Sequence, residues 1–172
     1  RLTELGISVD SEQVLNSAFT RFKELADKKH EIFDEDLYAL MSDEVVTPDD
    51  EHYKLLSSMF HSETGESPQA RLTLSAGGTE CRAESTGSGP VDATFKAIEG
   101  VAGSGSELLL YSVNAITTGT DAQGEVTVRL AKDGRIVNGQ GADTDIVVAS
   151  AKAYINALNK LRSGAEKLNP QL

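Results

Sequence analysis

The feature that most constrains this chain is that its second part repeats itself. Gln69-Ala70-Arg71-Leu72-Thr73-Leu74 resembles Gln123-Gly124-Glu125-Val126-Thr127-Val128, 54 residues further on, and Gly87-Ser88-Gly89 resembles Gly139-Gln140-Gly141 at an offset of 52. The two-residue difference falls between them, at Ala76-Gly77-Gly78 against Lys132-Asp133-Gly134, where each unit needs a hairpin turn. A repeat of this period is one supersecondary unit used twice. Three strand candidates precede each Gly-x-Gly: 52–62, 69–76 and 79–86, then 106–118, 123–131 and 135–140. Leu72/Leu74 and Val126/Val128/Leu130 alternate with polar residues, the pattern of a half-buried antiparallel strand.

Each Gly-x-Gly is expected to open a helix. The first has Pro90 near its first position, then Val91, Phe95 and Ile98, and stops at Gly100. The second has Asp143 or Thr144 as cap, then Ile146, Val147, Ala151, Tyr154, Ile155, Leu158 and Leu161, and stops at Gly164. The expected fold is α+β: two pseudo-symmetric βββα units, a sheet covered on one face by two helices.

Charge sets the rest of the chain apart. Residues 1–66 hold 16 acidic and 6 basic side chains, whereas 67–172 hold 11 and 10, so most of the net charge of −11 lies in the first part. A module boundary is expected between about Pro48 and Pro68, giving a small helical subdomain over 1–50 and a duplicated domain over 51–172. In the first, Asp10-Ser11-Glu12-Gln13 has a capping-box arrangement, and Val14, Leu15, Ala18, Phe19, Phe22, Leu25 and Ala26 recur at helical spacing. Asp34 caps a second helix carrying Leu37, Leu40 and Met41, with Phe33 and Tyr38 placed for a hydrophobic staple. Two short amphipathic helices bury little alone and should pack on something outside this chain.

Several function classes are excluded. Neither half has the basic excess that nucleic acid requires. The longest uncharged apolar run, Leu108 to Ile116, is too short to span a bilayer, and no charged-then-apolar leader follows Arg1. A chain opening on Arg reads as part of a longer protein. Cys81 is the single cysteine, so there is no internal disulfide or CxxC motif; it is expected as a buried strand residue in a cytoplasmic protein. His30, His52 and His61 form no metal-binding pattern, and Asp49-Asp50-Glu51-His52 is read as a solvated acidic loop. No serine lies in GxSxG and no carboxylate pair is marked as acid and base. Catalytic residues, metal ligands and cofactors are therefore not expected in this chain.

Small-molecule binding is the chemistry these residues do support. The helix-start backbones at Gly87, Gly89, Gly139 and Gly141 bring bare N–H groups to a point, which favours an anion. Asp92 stands where a full GxGxxG would end, so a dinucleotide fits poorly and a carboxylate of amino-acid size fits better. One such corner alone would more simply serve a tight turn; two related corners facing each other make a ligand site an equal reading. Asp92, Asp143 and Asp145 either cap the helices or meet a ligand ammonium. Val91, Leu108, Tyr111, Ala115, Ala122 and Ala142 are apolar groups that either line a pocket or belong to the core.

Longer stretches carry a family resemblance. Phe22-Lys23-Glu24-Leu25-Ala26-Asp27-Lys28-Lys29 with Phe33-Asp34-Glu35-Asp36-Leu37 resembles the linker of bacterial 2-isopropylmalate synthases. Gly87-Ser88-Gly89-Pro90-Val91-Asp92-Ala93, the stretch Ala115-Ile116-Thr117-Thr118-Gly119-Thr120-Asp121-Ala122-Gln123-Gly124-Glu125-Val126, and Gly139-Gln140-Gly141-Ala142-Asp143-Thr144-Asp145-Ile146 resemble its regulatory domain. The resemblance implies a leucine-binding allosteric and dimerisation domain over 51–172, behind a helical linker. It implies an enzyme that condenses acetyl-CoA with 2-oxoisovalerate, whose divalent metal sits in a catalytic barrel upstream of Arg1. The partners implied are L-leucine, a second copy of the chain, and that barrel. The leucine lining it implies is Ser88, Val91, Asp92, Leu108, Tyr111, Ala115, Ala122 and Ala142; Ser88 departs from the Asp or Asn usual there. An isoleucine-sensing domain of citramalate synthase and a dimerisation module without ligand are the alternatives.

Overall fold

The computed structural model describes residues 12–28, 37, 51–115 and 123–168. Helix α1 (Glu12–Lys28) is followed by β1 (Tyr53–His61), β2 (Gln69–Ala76), β3 (Thr79–Thr86), α2 (Pro90–Ala102), β4 (Glu107–Ala115), β5 (Gly124–Lys132), β6 (Arg135–Asp143) and α3 (Ile146–Leu168). The expected duplication is present: two antiparallel three-stranded sheets, ordered β1-β2-β3 and β4-β5-β6, each followed by a helix. The capping residues before α1 and the second helix expected from Asp34 to Met41 lie outside the described residues, apart from Leu37.

Turn chemistry fixes the register of both units. The two-residue loops Gly77-Gly78 and Asp133-Gly134 have positive φ throughout (58° and 84°, then 50° and 77°), as a type I′ hairpin requires. They place Leu74 opposite Cys81 and Leu130 opposite Val137. On the inward face Leu72, Leu74, Val126, Val128, Leu130 and Val137 are fully buried. The outward face is polar, with Arg71 Nε donating to Glu84 Oε2 at 2.9 Å and Arg129 Nε to Asn138 Oδ1 at 2.9 Å. Cys81 is half-buried rather than buried, because the edge strand β3 is only partly covered.

The helices form the middle of one shared core. Helix α2 packs on β2 and β3, α3 packs on β5 and β6, and the two helices pack on each other. Phe95 of α2 stacks on Tyr154 of α3 with ring centroids 4.5 Å apart. Each helix also touches the first strand of the other unit: Asn159 of α3 accepts from Tyr53 N–H at 2.8 Å and donates to Tyr53 C=O at 3.0 Å, and the Phe95 ring stands edge-on to Tyr111, 5.9 Å away.

Helix ends depart from expectation in identifiable ways. Helix α2 passes Gly100 and stops at Gly103, which adopts the left-handed conformation (φ 53°) and returns its N–H to Glu99 C=O at 2.8 Å. Helix α3 passes Gly164 and reaches Leu168. It is capped by Asp145 rather than Asp143 or Thr144: Asp145 Oδ1 accepts from Val147 N–H at 2.8 Å and Val148 N–H at 3.4 Å.

Candidate functional site

The two Gly-x-Gly segments prove to do different jobs. Gly139 and Gly141 lie inside β6, not at a helix start. A Cβ on Gly139 would stand 2.0 Å from Ala153 C=O, and one on Gly141 2.4 Å from Ala149 C=O. They are bare so that α3, itself lined there by Ala149, Ala153 and Ala157, can lie directly on the strand. The expected helix-start role of this pair is thus corrected: β6 runs three residues further than the sequence suggested, and the helix begins only at Ile146.

Gly87-Ser88-Gly89 does open a helix. Gly87 is needed for close approach, since a Cβ would meet Ala93 N at 2.4 Å and Asp92 Oδ2 at 2.6 Å. Gly89 is the N-cap, in extended backbone, and a Cβ there would meet nothing within 4 Å. No side chain caps this helix. Asp92 folds back instead: its Oδ2 accepts from Ser88 N–H at 2.9 Å and from Ser88 O–H at 3.3 Å, and pairs with Lys96 Nζ at 2.9 Å. The Lys96 hydrogen bond, then that of the Ser88 N–H, holds the Asp92 carboxyl below the usual carboxylate range. At the other helix start Asp143 is held low by the Asp145 N–H and then by Lys152, whose Nζ is 2.9 Å away. Of the two helix starts only the first lacks a side-chain cap, and the Asp92 carboxylate stands in its first turn.

The other lining residues come from β4. Tyr111 reaches inward to α3, its hydroxyl 2.8 Å from Ser150 Oγ. Ser150 has one proton and gives it to Ile146 C=O at 2.6 Å, so Tyr111 is the donor of this pair. Phe95 joins the two halves of the site: it touches Tyr111 and lies one helical turn beyond Val91, on the same side of α2. Val91 packs against the core, Tyr111 is 36% exposed and Leu108 is 44% exposed. Ala115 ends β4.

The structure therefore gathers Val91 and Tyr111 around Phe95, with Ser88 and Asp92 at the start of α2; Leu108 and Ala115 stand seven residues apart on β4, roughly 23 Å, and do not share one pocket. It does not bring Ala142 among them. Ala142 pairs with Glu125, which pairs with Asn114, so the central strand separates it from β4, and it is exposed on the face away from the helices. Ala122 lies outside the described residues. Sequence reasoning missed Ser150 and Lys96. A serine four residues after Ile146, inside an otherwise apolar stripe, was the available signal for the first; an i,i+4 Asp–Lys pair was the signal for the second.

Residues 31–162 match the LeuA allosteric (dimerisation) domain. The chain belongs to that family. Across its full length it is 76% identical to the 2-isopropylmalate synthase of Aromatoleum aromaticum, and 68% identical to that of Nitrosospira multiformis. Over 171 residues it is 70% identical to the 2-isopropylmalate synthase of Dechloromonas aromatica. It spans about a third of the length of these relatives, 34%, 34% and 33% respectively. In LeuA-domain terms, the duplicated unit with its one uncapped helix start is the part whose geometry can be read for a ligand. No helix among the described residues is long and apolar enough to cross a membrane.

Proposed function

We propose that this chain is the leucine-sensing regulatory region of a 2-isopropylmalate synthase, a cytoplasmic enzyme that condenses acetyl-CoA with 2-oxoisovalerate. In this reading the catalytic barrel and its divalent metal lie in the remainder of the protein. Residues 51–172 bind leucine and dimerise, and residues 1–50 link them to the barrel. The observation that carries the reading is the joining, through Phe95, of the uncapped start of α2 to the half-open face of β4.

The open N–H groups at the start of α2 receive the ligand carboxylate. The isobutyl group lies against Val91 and Tyr111, where its burial contributes roughly 2 kcal/mol. One methylene more or less changes affinity by only about 1–3 kcal/mol, so selectivity among branched amino acids is finite. Leucine inhibits by binding one arrangement of domain and linker better than another, because equal affinity shifts nothing.

Calorimetric titration with leucine, isoleucine and valine tests this. Leucine should bind most tightly, and at 100 times its dissociation constant it should add about 2.7 kcal/mol of stability in a thermal melt. Preference for isoleucine would mark a citramalate-synthase type of sensor; no response to any of the three would leave a dimerisation module without ligand.

A further inference from the structure

Both helices of the duplicated fold carry a hydroxyl at their fifth residue, Thr94 in α2 and Ser150 in α3. Thr94 Oγ1 donates to Pro90 C=O at 2.7 Å, and Ser150 Oγ donates to Ile146 C=O at 2.6 Å. Both residues are fully buried. A hydroxyl turned back on its own helix adds little to that helix. Ser150 stands among Ala149, Ala151 and Ala153, where alanine would pack as well and favour the helix more.

The two units differ in what meets this hydroxyl. Counted from the hairpin turns, Val128 matches Leu72; Val128 pairs with Tyr111 on β4, and Leu72 pairs with Ser58 on β1. Tyr111 extends to Ser150, oxygen to oxygen 2.8 Å, whereas Ser58 is a short side chain and α2 packs on β2 and β3. The Ser150 proton is committed to Ile146, so the bond runs one way, from Tyr111 to Ser150. Phe95, itself stacked on Tyr154, stands edge-on to the same ring at 5.9 Å. The Tyr111 ring is thus held at its tip by α3 and at its side by α2.

We infer that Ser150 is a positioning residue of the leucine site: it sets the place of the Tyr111 ring, against which the ligand side chain lies, without touching the ligand itself. The inference rests on the leucine reading above and deepens it. The ligand carboxylate lies at the start of α2, in the first unit, yet affinity also depends on the seating of α3, in the second. A binding site supported in this way gains its geometry from side chains whose own rotamers are locked behind it.

Calorimetric titration of the 172-residue chain with leucine tests this through Ser150→Ala, Tyr111→Phe and the two combined, with Thr94→Val as the control. Each of the first two removes one end of the same hydrogen bond, and alanine at 150 matches its neighbours, so the fold is kept. Each should weaken leucine binding about tenfold, and the combined variant should lose no more than either alone. Thr94→Val deletes the equivalent hydroxyl of α2 at nearly constant shape and should leave the affinity unchanged. Unaltered leucine affinity in Ser150→Ala, losses that add in the combined variant, or an equal loss in Thr94→Val would each overturn the inference alone. An unsubstituted chain that does not bind leucine overturns the leucine reading, and the inference with it.

Discussion

At the scale of single residues, glycines decide most. Gly89 faces open space in a conformation any residue adopts, so Gly89→Asp should fold normally; an N-cap carboxylate should even stabilise α2 by a few tenths of a kcal/mol. The same carboxylate would occupy the N–H groups and repel a ligand carboxylate. The expected outcome is an unchanged or slightly higher Tm with leucine binding abolished in calorimetry; unchanged affinity would remove α2 from the site. Gly139→Ala is the opposite case. Its Cβ would run into the Ala153 carbonyl, a backbone atom, and should cost about 2–4 kcal/mol in denaturant unfolding with no ligand involved. Asp92 adds a pH dependence. A carboxyl held below its ordinary value stabilises the fold above about pH 4, and that contribution is lost as pH falls through the lowered value. Asp92→Asn should therefore lower Tm near neutrality and leave it nearly unchanged at strongly acid pH, which a melting series across pH will show.

At the scale of elements, Glu99 and Tyr154 lock the end of α2. Glu99 accepts from Tyr154 O–H at 2.8 Å, Ser104 O–H at 2.5 Å and Ser104 N–H at 3.0 Å, fixing the loop into β4. Burial first, and then the Glu99 carboxylate, push the Tyr154 phenol well above its usual pKa. Tyr154→Phe should cost about 1–2 kcal/mol in chemical unfolding, because Ser104 still satisfies the carboxylate. This contact was invisible in the sequence, where Tyr154 stood only as a core position of the α3 stripe. Strand and hairpin positions were far more legible: alternation at Leu72/Leu74 and Val126/Val128 and the Gly77-Gly78 and Asp133-Gly134 turns are local signals. The second Gly-x-Gly misled because a glycine needed for close packing and one needed at a turn look identical until the facing helix is known. Of the site, the start of α2 and β4 were legible from motifs, and the bridging role of Phe95 was not, since it depends on two units meeting.

At the scale of the whole molecule, the two units share one core and neither contains a complete one. Leu72 and Leu74, Val126 and Val128, Phe95, and Leu158 belong to a single buried cluster drawn from both sheets and both helices. Separately produced fragments 51–105 and 106–172 should each lack a cooperative thermal transition and should regain one when mixed; independent folding of either would refute a shared core.

Asn159 points to a wider consequence of that shared core. By spending its amide on both outward polar groups of Tyr53, it acts as a one-residue strand laid along the start of β1. At that position the β1 margin has no N–H or C=O left over with which a further strand could register.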